Sequence, residues 1–377
     1  MWATREIQRT RVAGCSVPGT SREEDFDAAA RGLYRAQSSS IPAYSAYLRH
    51  LGVDPERTAS WRDIPPVPTS AFKSHDLSAA PPGAEIATFE TSGTTISRPG
   101  RVRLSSTESY EQSLLSSFAM HLLPDDAKLP AIVFGPTRAE APRSSLWFMV
   151  DRIVEKLTTG GTWIVRGGEP DWNLADAVLE RAMKEGAPVL LLGTSLLFMA
   201  YFERLAAKGK SFALHPGSRA MDTGGAKGQR AEFARDEVAA AFHRHLGIPR
   251  THLVNEYGMA EMGSQFYDDN LLAVHEGRAP MLGKQIPPWV RTRVLHPETL
   301  EEQPDGARGI LVHYDLANHE TPLAIQTEDI GTRVGDRLIL EGRLLGAEAR
   351  GCSLAFERFV EQERGAGTGR PTAGPPQ

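Results

Sequence analysis

The sequence has too few cysteines for a disulfide framework or a zinc site, since Cys15 and Cys352 are its only two and lie far apart. It contains no apolar run of about 18 residues, so we expect no membrane span. Residues 1–20 lack the apolar core of a secretory signal. We therefore expect a cytoplasmic protein with free thiols and a loosely ordered stretch at residues 1–20.

Positive charge is scarce compared with what nucleic-acid binding requires. The 377 residues carry a net charge of -5, and the pI is about 6.2, so we expect no nucleic-acid partner. The sequence also lacks the Gly-x-x-x-x-Gly-Lys-Ser/Thr pattern of the common triphosphate-binding loop. A chain of this length can bury a sizeable core, and two or more lobes are expected.

A run of small hydroxyl and glycine residues is the most informative stretch of the chain. It follows a short predicted strand at residues 86–89. Such a run packs poorly in a core, but its backbone can approach a polyanion closely and its hydroxyls can donate hydrogen bonds. A polar surface turn is the alternative interpretation. The run and the arginines after it are Thr91, Ser92, Gly93, Thr94, Thr95, Arg98, Arg101 and Arg103.

Predicted strands and helices alternate along the middle of the chain. Short apolar runs at residues 131–134, 162–165, 189–192 and 253–256 predict buried strands, and helical periodicity lies between them. This alternation indicates an α/β fold with a parallel-rich sheet flanked by helices, in which ligands bind at the carboxyl ends of strands. From about residue 281 the short alternating runs, with nearby proline and glycine, predict a small β-rich subdomain.

Three later patches could contribute to a ligand site. Residues 255–258, Asn-Glu-Tyr-Gly, lead to Glu261 and combine an aromatic ring with a carboxylate that could bind Mg²⁺. Asp329 follows a predicted strand, where a carboxylate can accept hydrogen bonds from ribose hydroxyls. Arg343 and Cys352 form the third patch. Each patch has an ordinary alternative, which is a solvated turn for the first two and a small buried thiol for Cys352.

The order of these patches resembles that of the adenylate-forming enzymes. Thr-Ser-Gly-Thr-Thr, a Gly-Gly turn at residues 224–225, Tyr-Gly-x-x-Glu, Thr-x-Asp and Gly-Arg occur in the order of that superfamily. Within it, the chain most resembles the acyl-protein synthetase family, the fatty-acid-activating component of bacterial bioluminescence reductase complexes. The closer resemblance covers about residues 22–360 and includes the segments at residues 64–73, 255–259 and 350–354.

The resemblance implies a reaction in two steps that uses ATP and Mg²⁺. A carboxylic acid is converted to acyl-AMP, and a thiol then displaces AMP to give a thioester. Thr91, Ser92, Gly93, Thr94 and Thr95 would hold the β- and γ-phosphates. Glu261 and Arg101 would act in catalysis, with Mg²⁺ on Glu261. The adenine and ribose would contact Gly224, Gly225, Glu256, Tyr257, Gly258, Asp329 and Arg343.

The resemblance also suggests an acceptor for the acyl group. Cys352 lies where the acyl-protein synthetases carry an acceptor cysteine, while coenzyme A or the pantetheine of a carrier protein remains an alternative, and an acyl reductase is an implied partner. Two positions depart from the superfamily pattern, because Ile96 replaces a glycine and Ala260 replaces a threonine that would donate to the α-phosphate. These departures also allow a non-catalytic relative that binds a nucleotide or acyl-adenylate, or that serves as a scaffold.

The expected domain boundaries follow the superfamily. Residues 21–341 would form the adenylating domain, with the β-rich subdomain at about 281–341. Residues 342–364 would form a truncated C-terminal segment in place of a mobile lid, and residues 365–377 a disordered tail. Several large apolar residues hint at an apolar or aromatic acyl group, although core packing would explain them as well: Trp147, Phe148, Phe198 and Met199.

Overall fold

The computed structural model describes residues 22–91, 99–224 and 233–344. The α-helices of these residues are α1 (Glu23–Ser40), α2 (Pro42–His50), α3 (Glu108–Leu122), α4 (Ser145–Leu157), α5 (Trp172–Glu185), α6 (Ser195–Ala207), α7 (Arg235–Leu246) and α8 (Asn270–His275). Short 3₁₀ turns lie at Pro55–Arg57, Trp61–Asp63, Thr69–Lys73 and Arg250–His252. The strands are β1 (Val67–Pro68), β2 (Ala87–Glu90), β3 (Arg101–Leu104), β4 (Ala131–Phe134), β5 (Gly161–Trp163), β6 (Val165–Arg166), β7 (Glu169–Pro170), β8 (Leu190–Thr194), β9 (Arg219–Thr223), β10 (Leu253–Tyr257), β11 (Phe266–Asp268), β12 (Lys284–Gln285), β13 (Val290–Leu295), β14 (Arg308–Asp315), β15 (Ala324–Val334) and β16 (Arg337–Arg343).

One large mixed sheet organises this part of the chain. Its strand order is β13-β14-β15-β16-β12-β11-β10-β9-β8-β4-β5, with β1 paired in parallel to β15. The neighbouring strands β5, β4, β8, β9 and β10 are parallel. The remaining strands of this order, β11, β12 and β13 to β16, pair in antiparallel fashion. The predicted α/β fold is confirmed, and the β-rich region continues the same sheet.

The parallel half forms because its strands are apolar on both faces. Every residue of β4 is buried, and alternate residues enter two different core clusters, with Val133 in one and Ile132 in the other. Helices α3 and α4 cover the first face, and α5, α6 and α7 cover the second. Side-chain caps fix where several helices begin, as at Asp171, whose carboxylate accepts from the Leu174 N–H at 2.9 Å.

No helix in the described ranges combines the length and the apolarity needed to cross a membrane. The predictions of a loosely ordered start, a truncated lid at residues 342–364 and a disordered tail involve residues 1–21 and 345–377, which lie outside the described residues. They therefore stay predictions.

Asp315 places a carboxyl group inside the core, at the end of β14. Its Oδ1 accepts from the Ser264 hydroxyl at 2.7 Å and from the Ala317 N–H at 2.9 Å. Its Oδ2 has no hydrogen-bond partner within the described residues. Burial raises the pKa of Asp315 to about 6, although the hydrogen bonds from Ser264 and the backbone act in the opposite direction. The fold therefore favours the neutral carboxyl.

This raised pKa predicts a pH-dependent contribution to stability. The neutral carboxyl stabilises the folded state fully below about pH 4, and the benefit is lost as the pH rises through 6. The effect corresponds to about 3 kcal/mol. We therefore expect the Asp315→Asn variant to gain stability relative to the parent protein as the pH rises from about 4 to about 8. The gain in its relative free energy of unfolding should equal this amount, and urea unfolding measures it.

Asp336→Asn is the control for this experiment, because the Asp336 side chain is 65% exposed. It should keep the pH profile of the parent protein. If the Asp315→Asn variant also followed the parent profile at every pH, the carboxyl would not be the titrating group.

Candidate active site

The predicted ligand residues collect at the carboxyl edge of the parallel strands. Thr194, Thr223 and Tyr257 end the neighbouring strands β8, β9 and β10. Because parallel strands end at the same edge of a sheet, these residues lie side by side where open α/β sheets bind their ligands. Thr91 and Arg101 lie on the separate β2–β3 hairpin, whose Phe89 lines a cavity together with Ala260 of the loop after β10.

Asp329 is the centre of a hydrogen-bonded group. The Tyr257 hydroxyl donates to Asp329 Oδ2 at 2.8 Å, and Arg343 Nε donates to Oδ1 at 2.8 Å. Burial, followed by the nearby Asp329 carboxylate, raises the pKa of Tyr257 well above its usual value. The structure thus brings together three residues that the sequence analysis assigned to one nucleotide.

The prediction that Asp329 follows a strand is wrong, because it lies within the long strand β15. It pairs directly with Arg343 of β16, and an irregularity in the pairing falls between Ile330 and Gly331. Such bulges turn a strand and re-aim its side chains. The polar residues Thr327 and Asp329 interrupt the apolar pattern, which explains why the sequence indicated a shorter strand.

Glu256 and the glycines around it form a narrow neighbouring region. Thr223 Oγ1 donates to Glu256 Oε2 at 2.6 Å. A Cβ atom on Gly258 would lie only 2.4 Å from Glu256 Oε1, so a side chain there would displace the carboxylate. A Cβ on Gly224 would lie 3.3 Å from Asn255 Nδ2. These contacts explain why glycine occurs at positions 224 and 258, just after the ends of β9 and β10.

An ion pair on a fully buried carboxylate, which the sequence analysis missed, supports this region. Asp222 is fully buried and receives two hydrogen bonds from Arg235, at 2.5 and 3.0 Å, and one from the Ser195 hydroxyl at 2.5 Å. Asp222 directly precedes Thr223 and Gly224, and Arg235 begins α7. The pair therefore connects the end of β9 to the start of α7. A charged residue inside an apolar strand was the signal that could have revealed it.

A second buried cation lies beside the first pair. The Lys284 ammonium donates to the Asn255 backbone oxygen at 2.9 Å, to Asn255 Oδ1 at 2.6 Å and to Asp268 Oδ1 at 2.9 Å. Because Asn255 Nδ2 also donates to the Asp222 backbone oxygen at 3.0 Å, the two ion pairs are connected through one amide. This network holds β9 and β10 in register next to Glu256.

The β2–β3 hairpin positions the start of the predicted phosphate loop. Thr91 Oγ1 accepts from the Gly100 N–H at 3.0 Å, which closes the base of the loop. A hydroxyl that accepts one bond can still donate another. Glu90 interacts with Arg143 at 2.6 Å and with Arg101 at 3.4 Å, so Arg101 lies beside the loop but already contacts a carboxylate.

The loop after β10 carries Glu261, and the Asn318 side chain fixes its backbone by two hydrogen bonds. Asn318 Nδ2 donates to the Glu261 backbone oxygen at 2.9 Å, and Asn318 Oδ1 accepts from the Gly263 N–H at 2.5 Å. Glu261 lies near enough to Tyr257 to act on its pKa in the same direction as Asp329. No cluster of three or more metal-ligating side chains occurs in residues 22–91, 99–224 and 233–344.

Several predicted site residues lie outside the described residues. They are Ser92, Gly93, Thr94, Thr95, Ile96, Gly225 and Cys352. Their assigned roles stay predictions.

Comparison with known proteins identifies the family. Residues 29–360 match the family described as acyl-protein synthetase, LuxE. The chain belongs to this family. The long-chain-fatty-acid–luciferin-component ligase of Vibrio harveyi is 25% identical over 354 residues, covering 89% of this chain and 88% of that protein. The corresponding ligase of Aliivibrio fischeri is 24% identical over 319 residues, covering 80% and 79%.

Solved structures with the same fold are adenylate-forming enzymes. A 2-hydroxyisobutyryl-CoA ligase in the postadenylation state, in complex with 2-HIB-AMP, has a TM-score of 0.64 and 14% identity, covering 87% of this chain and 69% of that chain. An open conformation of the ligase with 2-HIB-AMP and CoA has a TM-score of 0.63 and 14% identity, covering 87% and 76%. The predicted superfamily, family and ligase class are confirmed for this acyl-protein synthetase.

The four apolar residues suggested for the acyl pocket do not form one pocket in this family member. Trp147 and Phe148 belong to the cluster on one face of the sheet. Phe198 and Met199 belong to the cluster on the other face. Trp147 also lies against Gly135, where an added Cβ would meet its ring at 1.9 Å. These side chains therefore pack in the core on both faces of the sheet, in agreement with the alternative that core packing explains them.

The buried pair Asp222–Arg235 predicts a large stability difference between two similar variants. Arg235→Met should destabilise the protein by about 1–3 kcal/mol, because it leaves the fully buried Asp222 carboxylate without its cation, and the value is reduced because the Arg235 side chain is 39% exposed to water. Arg181→Met is the matched control, because the Arg181 side chain is 66% exposed and its contact with Glu185 is long, at 4.0 Å. This variant should change stability by less than about 0.5 kcal/mol. Urea unfolding near neutral pH measures both, and equal stabilities would contradict the role of the pair.

Proposed function

We propose that this acyl-protein synthetase activates a carboxylic acid with ATP and transfers the acyl group to a thiol. In the first step a carboxylate oxygen attacks the α-phosphorus and pyrophosphate leaves, giving acyl-AMP. In the second step a thiolate attacks the acyl carbon and AMP leaves, giving a thioester. The observation that supports this function best is the Tyr257–Asp329–Arg343 group at the carboxyl edge of an adenylate-forming fold.

Asp329 can accept hydrogen bonds from a nucleotide in addition to the two that it already accepts. A carboxylate has about four lone-pair sites, and Tyr257 and Arg343 each use one. The remaining sites suit a pair of ribose hydroxyls, which are neutral donors. The Tyr257 ring would lie along the adenine, with Gly224, Gly225, Glu256 and Gly258 bordering the slot.

The phosphates would lie between the β2–β3 hairpin and the loop that follows β10. Thr91 and the hydroxyls and glycine of residues 92–95 would donate to the β- and γ-phosphates, and Arg101 would supply positive charge. One carboxylate, Glu261, fits a Mg²⁺ site, because Mg²⁺ bound with nucleotides takes most ligands from phosphates and water. When bound, Mg²⁺ would neutralise phosphate charge.

The alternative of a non-catalytic binding or scaffold protein rests on Ile96 and Ala260. The missing threonine hydroxyl would remove one donor to the α-phosphate, and such a loss typically costs about 10²–10³ in rate. A slower enzyme is therefore the expected result, rather than an inactive one. The relatives give no support to this alternative, because both are named as ligases.

Cys352 is the proposed thiol, and the described chain ends close enough to deliver it. The Leu344 N–H donates to the Glu328 backbone oxygen at 2.8 Å, one residue from Asp329. The eight residues from Leu344 to Cys352 span at most about 26–29 Å, so the thiol can reach an acyl-adenylate bound beside Asp329. Coenzyme A or a carrier-protein pantetheine is the competing acceptor. We place the enzyme in the cytoplasm with an acyl reductase as a further partner.

Carboxylate-dependent exchange of pyrophosphate into ATP tests the first step. We expect exchange in the parent protein with a suitable acid and Mg²⁺. Asp329→Asn should raise the KM for ATP by at least about tenfold, because bonds to a charged acceptor are lost. Asp336→Asn, on the exposed turn before β16, is the control and should leave the KM unchanged. Folded protein that binds ATP but supports no exchange with any acid would refute the proposal.

Mass spectrometry after incubation with ATP and the acid tests the acceptor. We expect an added acyl group in the parent protein and in the Cys15→Ser control, because Cys15 is the other cysteine. Cys352→Ser should lose the adduct but keep pyrophosphate exchange, since exchange reports only the first step. Acylation that persists in Cys352→Ser would rule out this residue as the acceptor and direct attention to coenzyme A or a carrier protein.

A further inference from the structure

Two buried rings support the side chain of Tyr257. Tyr257 is half-buried, which leaves part of its ring accessible, whereas Phe266 and His313 are fully buried. The centroid of the Tyr257 ring lies 5.5 Å from that of Phe266 and 6.0 Å from that of His313, and the latter two centroids are 4.9 Å apart. When adenine stacks on the accessible part of Tyr257, as the proposed function requires, these two rings pack on the tyrosine from inside the protein.

The imidazole of His313 is fixed in turn by strand β13. His313 Nδ1 and Thr292 Oγ1 lie 2.9 Å apart, at hydrogen-bonding distance, and the two residues face each other in the pairing of β13 with β14. Burial lowers the pKa of His313 to about 4, although the nearby Asp329 carboxylate acts in the opposite direction. The imidazole is therefore neutral at neutral pH and adds no charge beside Asp329.

An imidazole at this position has a cost in stability. Its Nε2 has no hydrogen-bond partner among the residues that the structure describes, and a buried polar atom without a partner opposes folding. A leucine would avoid this cost, but it could not form the hydrogen bond with Thr292. That bond fixes the plane of a flat ring, and a flat ring in a fixed orientation restricts the rotation of the Tyr257 ring packed against it. Locally unfavourable residues of this kind concentrate at functional sites.

We propose that His313 is a positioning residue for the nucleotide, because it fixes the plane of the Tyr257 ring on which adenine stacks. This inference rests on the proposed function, in which Tyr257 lies along the adenine. His313 does not itself contact the nucleotide, since its side chain is fully buried. Its effect therefore passes through Tyr257 and appears in the binding of ATP, whereas the chemical step is unaffected.

The KM for ATP in pyrophosphate exchange and the Kd for ATP from calorimetry test the proposal. We expect His313→Leu to raise both values about three- to tenfold, which is the usual effect of losing an aromatic contact, and to leave kcat close to that of the parent protein. His245→Leu is the matched control. His245 is also buried, its ring stacks on Phe202 at 5.5 Å, and its Nδ1 has no partner in the described ranges. Because Phe202 belongs to the core cluster on the other face of the sheet, His245→Leu should change neither value.

A Tyr257→Ala background distinguishes positioning from a general effect on packing. Once the ring is absent, adding His313→Leu should raise the KM and the Kd no further, because two effects that pass through one residue are not additive. Thr292→Val removes only the hydroxyl that holds the imidazole and should raise both values in the same direction. This variant decides the question if His313→Leu does not fold.

The possible outcomes separate this inference from the proposed function. An unchanged Kd for ATP in His313→Leu and Thr292→Val would overturn the role of His313 and leave the proposed function intact. An equal increase with and without the Tyr257 ring would do the same. Parent protein that binds ATP but supports no exchange would instead refute the proposed function, and the Kd values would still decide the role of His313. Parent protein that binds no ATP would refute both.

Discussion

The hydrogen bond from the Tyr257 hydroxyl to Asp329 connects the two halves of the sheet. Tyr257 ends the last parallel strand, and Asp329 lies in the antiparallel strand β15, 72 residues later. Arg343 neutralises the carboxylate from the neighbouring strand. A buried carboxylate without these partners would be costly, so its orientation is set before any ligand arrives. Preorganised acceptors of this kind bind a ligand without first rearranging.

The loop after β10 is also held by side chains in fixed positions, and one of them, the buried Asp315 carboxyl, reduces the stability of the fold when it ionises. Asn318 fixes the backbone at Glu261 and Gly263, and Ser264 contacts the buried Asp315. Because burial raises the pKa of Asp315 to about 6, ionisation of this carboxyl destabilises the folded state as the pH rises through that range. The same loop carries Ala260, at the position where the superfamily pattern has a threonine.

Much of the parallel half could be predicted from the sequence, and so could the proximity of Tyr257, Asp329 and Arg343. The buried runs that became β4 and β8 are apolar throughout, and their pattern is local. The extent of β15 could not be predicted, because Thr327 and Asp329 satisfy their polar groups through partners distant in sequence. The face of the sheet that each helix covers could not be predicted either. Whether a helix covers one face or the other depends on connection geometry, so the sequence could not show that Trp147 and Phe198 lie on opposite faces.

Under the proposed function, strand β16 would link nucleotide recognition to delivery of the thiol. It contributes Arg343 to Asp329, and Leu344 then bonds to the strand beside it. If Cys352 accepts the acyl group, the chain that carries it begins at the ribose site. A thiol attached in this way acts at an effective concentration that reaches about the millimolar range for short linkers, without a separate binding site. A nucleotide bound at Asp329 would then stabilise the base of the acceptor segment, and by linkage the positioned acceptor would favour the bound nucleotide.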